Sequence, residues 1–142
     1  MAEITLPTEI RLDIVTPDRL VAHDEVTAVT IPGKNGYLGI LPGHAPLLTE
    51  LAPGELEYTS HSAKHVLAVN WGFAEVLGDR VIVLAQSAER AEEIDVVRAE
   101  KAKARAEDRL KRLDDPAVDR ERARESLTRA MARLEAAHKR EK

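Results

Sequence analysis

Gly36-Tyr37-Leu38-Gly39-Ile40-Leu41-Pro42-Gly43-His44-Ala45-Pro46-Leu47-Leu48-Thr49 is the stretch on which the reading of the fold turns. It is apolar, yet three glycines and two prolines divide it. A core strand does not carry that punctuation. Glycine opens backbone angles closed to other residues, and each proline fixes φ and removes an N–H donor. The pattern predicts a bent, ordered, apolar loop between strands. An apolar loop shaped in this way packs on something. Tyr37, Leu38, Ile40, Leu41 and His44 are therefore candidate interface residues.

On both sides of this stretch, short alternating runs end in turn residues. Ile10, Leu12 and Ile14 alternate with Arg11 and Asp13; Val29 and Ile31 flank Thr30; Leu56 and Tyr58 alternate with Glu55 and Glu57. Val66, Val69, Phe73, Val76, Val81, Val83 and Leu84 continue the theme. Turn signals fall at Thr16-Pro17-Asp18, Pro32-Gly33-Lys34-Asn35-Gly36, Ala52-Pro53-Gly54 and Gly78-Asp79, the last suited to a tight hairpin. Many short strands at regular spacing predict an all-β sandwich or barrel.

Beyond Gln86 the composition changes. All seven glycines lie at or before Gly78. Residues 1–88 hold 5 Lys+Arg against 11 Asp+Glu, whereas residues 89–142 hold 16 against 14, eleven of the cations being arginine. This divides the chain into a sandwich domain, 1–88, and a helical domain, 89–142, an α+β organisation in two parts. Ala99, Ala102, Ala106, Leu110 and Leu113 make one helical stripe; Ala123, Leu127, Ala130 or Met131, Leu134 and Ala137 make another. Asp114-Asp115-Pro116 separates them, with Asp115 placed as an N-cap and Pro116 as the first helical residue. An antiparallel hairpin with an alanine seam follows. Alanine buries little area, so two sound helices are only weakly held together.

The chemistry is sparse. There is no cysteine, hence no disulfide, thiolate metal site or cysteine nucleophile. No P-loop and no His-x-x-x-His helix pair occurs, and nothing points to a metal, a catalytic residue or nucleic acid. No apolar run approaches ~18 residues, so no membrane span is expected. Met1 to Pro7 has neither a basic region nor a long apolar core, and no secretory signal is expected. Two features stand out. Asp95 is a natural N-cap, with Ile94 and Ala99 placed as a hydrophobic staple, which leaves Arg98 unexplained. Arg122, Arg129 and Arg133 are spaced seven and four apart and share a helix face. Guanidinium forks match phosphate oxygens.

The loop G-Y-L-G-I-L-P-G-H-A-P-L-L-T, followed by Leu51-Ala52-Pro53-Gly54, resembles the signature of the epsilon subunit of F-type ATP synthases, of the bacterial type with a full helical arm. The resemblance runs from Ile10 to Leu134. It implies a small β-sandwich that docks on the gamma subunit and the membrane rotor ring through a surface including Tyr37 to His44. It also implies a helical arm that extends into the catalytic alpha/beta head and inhibits ATP hydrolysis. The subunit would be non-catalytic, have no obligatory cofactor, and sit peripherally on the cytoplasmic face of the bacterial plasma membrane. Ile94-Asp95-Val96-Val97-Arg98-Ala99 is similar to the family's ATP-associated motif. The nucleotide-site residues so implied are Glu89, Ile94, Asp95, Arg98, Ala99, Arg122, Arg129 and Arg133, with Lys139 outside the site. Departures are Tyr37, where an acidic or polar residue is common, Asn70-Trp71-Gly72 in place of a glycine-rich stretch, and a longer segment before Ile10. Trp71 should fill volume at an edge or interface. A free-standing nucleotide-sensing module and a coiled-coil tether are the alternative readings.

Overall fold

Alternation and turn chemistry set eight strands in the computed structural model, which describes residues 6–139. The expectations that rest on Met1 to Thr5 lie outside the described residues. The strands are β1 (Ile10–Val15), β2 (Leu20–Val26), β3 (Ala28–Gly33), β4 (Gly36–Ile40), β5 (Leu47–Leu51), β6 (Gly54–Ser60), β7 (Ala63–Leu77) and β8 (Arg80–Arg90). A 3-10 turn, Ala91–Glu93, leads to α1 (Val96–Lys111) and α2 (Arg120–Lys139). The strands run in the order β2-β1-β8-β7-β5-β3-β4, with β6 joined to β3 and β7. Most neighbours are antiparallel; β1 and β8 are parallel.

The 15-residue β7 organises this arrangement. Its first half pairs with β6, Gly54 opposite Val69 and Ser60 opposite Ala63. Its second half pairs with β5, Leu47 opposite Val76 and Leu51 opposite Gly72. Between the halves, Trp71 has φ +25° and Gly72 φ +146°. The bend changes which side chains point inward. Leu67 and Val69 are buried before it, Ala74 and Val76 after it, so the inward parity shifts from odd to even residues. Leu12, Ile14, Val29, Ile31, Ile40, Leu56, Tyr58 and Val83 complete the core between the two layers.

The glycine- and proline-rich stretch is more regular than expected. Gly36–Ile40 is strand β4, and the loop proper is only residues 41–46. β4 lies at the end of the strand order and pairs with β3 alone. An edge strand tolerates glycines that a central strand would not.

The helices form where the stripes place them. Asp95 caps α1, its Oδ1 accepting the Arg98 N–H at 3.1 Å. The start of α2 differs from expectation. Asp115 accepts the Ala117 N–H at 2.9 Å and closes a turn, while Asp119 accepts the Arg122 N–H at 3.1 Å and caps α2. Pro116 lies in the connection, because Asp119 offers a second cap nearer the apolar stripe. Ala99 and Ala106 of α1, with Ala123, Ala130 and Ala137 of α2, are buried. Ala130 rather than Met131, which is 43% exposed, is the inward residue at that turn. Leu113 falls beyond the helix and is exposed. Among the described residues, no helix is long and apolar enough to cross a membrane.

A Cβ at Gly72 would lie 1.9 Å from the Leu84 carbonyl oxygen, in a backbone conformation that L side chains rarely adopt. Gly72→Ala is therefore expected to cost about 3 kcal/mol or more in urea unfolding. Gly39→Ala, which would meet nothing within 4 Å, is expected to change stability by less than about 1 kcal/mol. Equal midpoints for the two variants would remove the argument for the bend.

Candidate functional site

The residues expected at a nucleotide site divide into two groups. Ile94 is buried against Ala68 of β7 and Ala136 and Ala137 of α2, Asp95 caps α1, and Ala99 is buried within the seam. These positions hold the hairpin together. Arg98 is exposed on α1 and lies outside the lining of the cleft between the helices.

That cleft, about 200 Å³, is lined by Arg105 and Arg109 of α1 and by Arg129, Arg133 and Ser126 of α2. A wider depression of about 470 Å³ adjoins it, where Arg112 and Arg122 meet Arg109 and Arg129. Arg122, Arg129 and Arg133 are thus strung along one side of the hairpin, as their spacing requires. Arg105 and Arg109 escaped the sequence reading. Their signal was there: Arg105, Arg109 and Arg112 step by four and three, the same one-face spacing seen on α2.

The sandwich holds two of these arginines. Arg133 donates to Glu89 Oε1 from Nε at 2.7 Å and from Nη2 at 2.5 Å. The Arg129 guanidinium lies 5.4 Å from the Trp71 ring centre and donates to Ser126 Oγ at 3.0 Å. Trp71 does sit at an interface, the one between sandwich and arm. Along the helices Asp108 and Arg112 form an i,i+4 ion pair at 2.8 Å, whereas Arg129 reaches Ser126 and Trp71. Four guanidiniums with no carboxylate among the described lining residues leave the narrower cleft cationic, chemically suited to an oxyanion of high charge, while Asp115 and Asp119 border the wider depression.

The expected interface residues are also redistributed. Ile40 is buried in the core and Leu38 packs against it, so neither offers free surface. Tyr37 is 58% exposed and Leu41 64% exposed. His44 is half-buried, its Nδ1 2.7 Å from the Ala45 carbonyl oxygen. A larger apolar surface lies elsewhere. Glu50, Phe73, Leu84, Val15 and Leu20 form one cross-strand row over β5, β7, β8, β1 and β2. Phe73 and Leu84 are half exposed, and Leu20 and Leu48 more so. The alternating runs included Phe73 and Leu84 without assigning either to a face. The shift of parity at Gly72 turns them outward. A second signal was available: Phe73-Ala74-Glu75-Val76-Leu77 is apolar on both faces, and such a strand is covered on both faces.

A β-sandwich with an uncovered apolar row, bearing a hairpin with an alanine seam, is the build of a subunit of a larger assembly. Residues 9–91 match the family described as ATP synthase, Delta/Epsilon chain, beta-sandwich domain, and residues 92–138 match its long alpha-helix domain. The chain belongs to this ATP synthase delta/epsilon family, and within it to the epsilon chains, which are non-catalytic. It is 50% identical over 125 residues to the ATP synthase epsilon chain of Nitratidesulfovibrio vulgaris (strain DP4), covering 88% of this chain and 92% of that one. It is 48% identical over 134 residues to the epsilon chain of Dehalococcoides mccartyi (strain CBDB1), covering 94% and 96%. A chain of the Euglena gracilis mitochondrial ATP synthase (OSCP/F1/c-ring) superposes with TM-score 0.83 at 30% identity, covering 96% of this chain and 86% of that one.

The apolar row is surface, so folding should not need it. Phe73→Ser is expected to change the unfolding free energy by less than about 1 kcal/mol, against about 2–5 kcal/mol for Leu12→Ala in the core. Denaturant melts of the two variants check this.

Proposed function

We propose that this chain is a central-stalk subunit whose sandwich joins the gamma subunit to the membrane rotor ring, and whose hairpin restrains ATP hydrolysis. The observation that carries the docking half is the uncovered row of Phe73, Leu84 and Leu20, a surface of the kind that partners cover. Family membership supplies the assembly, and the Euglena structure is of a complex with F1 and c-ring. Leu41 and His44 form a second contact on the rotor side, while Tyr37 borders the space between β6 and α2. The place of work is then the cytoplasmic face of a bacterial plasma membrane, held there through the rotor, with proton flow as the driving force.

The brake reading is supported by the arm's construction. Its helices are capped, but the faces between them are alanine, so the gap between a docked hairpin and an extended arm is small. In the extended state the arm reaches the catalytic alpha/beta head. ATP acts as a regulatory ligand: its phosphates bind Arg105, Arg109, Arg129 and Arg133, which only the hairpin brings to one cleft. A ligand spanning both helices favours the docked state by its differential affinity. At ligand 100-fold above its Kd this amounts to about 2.7 kcal/mol when the open arm does not bind.

Three measurements test the reading. Phe73→Glu with Leu84→Glu should fold normally yet bind the gamma subunit at least about tenfold more weakly, which unchanged binding of folded protein would contradict. A chain ending at Glu93 keeps β8 whole, including the Arg90 hydrogen bonds to the Tyr58 hydroxyl and the Val21 carbonyl. Synthase reconstituted with it should hydrolyse ATP faster than synthase with the full chain; equal rates would exclude the arm as the brake. Calorimetric titration of the isolated chain should give heat with millimolar ATP, lost in Arg129→Ala. No heat from the parent chain would remove the nucleotide site.

A further inference from the structure

One side of α2 faces α1 through Ala123, Ala130 and Ala137. Another side carries Arg129, Ala132, Ala136 and Lys139, stepping by three, four and three. This second stripe meets the sandwich. Arg129 lies over Trp71, Ala136 packs on Ala68 and Ile94, and Lys139 reaches β6. On the helix side the middle of the contact is alanine methyls, which meet Ala68, Ile94 and Val66 and bury a small area. The end is charged.

Lys139 Nζ stands 2.6 Å from Glu55 Oε2 and 2.5 Å from Glu57 Oε1. Glu55 is only 8% exposed. Glu135, one turn before Lys139, also faces this space, which Thr30 and Tyr37 help to line. Burial first, and then the Glu55 carboxylate, push the Glu135 carboxyl above the usual range. Hydrogen bonds to Glu55 and Glu57 hold the Lys139 ammonium well above its ordinary value. Among the described residues, two carboxylates of β6 thus meet the Lys139 ammonium, and a third, from α2, borders the same space.

We propose that Lys139 is the latch of the docked arm: it fastens the last turn of α2 to β6, and without it Glu55, Glu57 and Glu135 drive the helix off the sandwich. A buried carboxylate that loses its partner is strongly unfavourable. Here the relief is close at hand, because lifting α2 returns Glu55 to water and parts it from the exposed Glu135, while leaving the sandwich core intact. The alanine contact is too small to resist. The latch lies beyond the arginine cleft, since Lys139 is six residues past Arg133, the last cleft arginine, about 9 Å along the helix. Its action does not depend on nucleotide, in keeping with the place of Lys139 outside the nucleotide-site residues.

The chain has no cysteine, so pairs of spin labels can be placed cleanly. Ser62 in the β6–β7 turn and Leu113 at the tip of the arm are exposed positions for them. Distance distributions of the full-length chain, without ATP, should show the docked population reduced about tenfold or more in Lys139→Met. Adding Glu55→Gln and Glu135→Gln to Lys139→Met should restore the parent distribution, because the repulsion is then gone. Circular dichroism and hydrogen exchange of β1 and β8 confirm that the sandwich is folded in each variant. In the parent chain, 1 M salt should shift the distribution the same way, since the ammonium is partly exposed. A parent-like distribution for Lys139→Met overturns the latch. Undocking that the glutamine substitutions do not reverse also overturns it, and assigns the loss to packing of the lysine stem instead.

Discussion

The backbone of Gly72 lies directly against the Leu84 carbonyl, closer than any side chain would allow, and most of the architecture follows from that contact. It lets β7 bend in the middle of a 15-residue strand. The bend hands β7 from β6 to β5 and so ties the two layers of the sandwich together. It also shifts the inward parity of the strand by one residue. Val66 and Ala68 then face α2 on the outer side before the bend, while Phe73 lies bare after it. One strand thus supports both the docked arm and the uncovered apolar row.

Against this firm body the arm is held lightly. Its own helices are well made, with Asp95 and Asp119 capping their starts and Asp108 pairing with Arg112. Between the helices, and between α2 and the sandwich, the contacts are mostly methyl groups. Polar contacts are added at a few points: Glu89 with Arg133, Trp71 with Arg129, and Lys139 with Glu55 and Glu57. Partly exposed polar contacts of this kind are individually modest. The contacts that hold the arm are therefore few and modest beside those that hold the core.

The same contacts shape the cationic cleft. Arg129 and Arg133 line the cationic cleft, yet their guanidiniums are placed by Trp71 and Glu89 of the sandwich. A ligand in the cleft and the docking of α2 accordingly bear on the same side chains. Such sharing is a direct route to reciprocal coupling between ligand and conformation.

Local information was sufficient for much of this protein. Strand and helix types, the Gly78-Asp79 turn, the two-part organisation, the alanine seam and the one-face spacing of Arg122, Arg129 and Arg133 are written in near-neighbour patterns, because turn chemistry and periodicity are properties of a few adjacent residues. Family resemblance carried the loop, though Ile40 proved to be core. Other features depended on pairing between distant segments. Alternation cannot show a change of parity, so the face that Phe73 and Leu84 present was settled only by the bend of β7 against β8. Alanine is neutral in any pattern, so the second buried face of α2, through Ala132 and Ala136, carried no signal. Lys139 and Glu55 are 84 positions apart, and only the docking of α2 on β6 brings their charges together. An ion pair is fixed by distance and by exclusion of water, and both belong to the folded chain rather than to its letters.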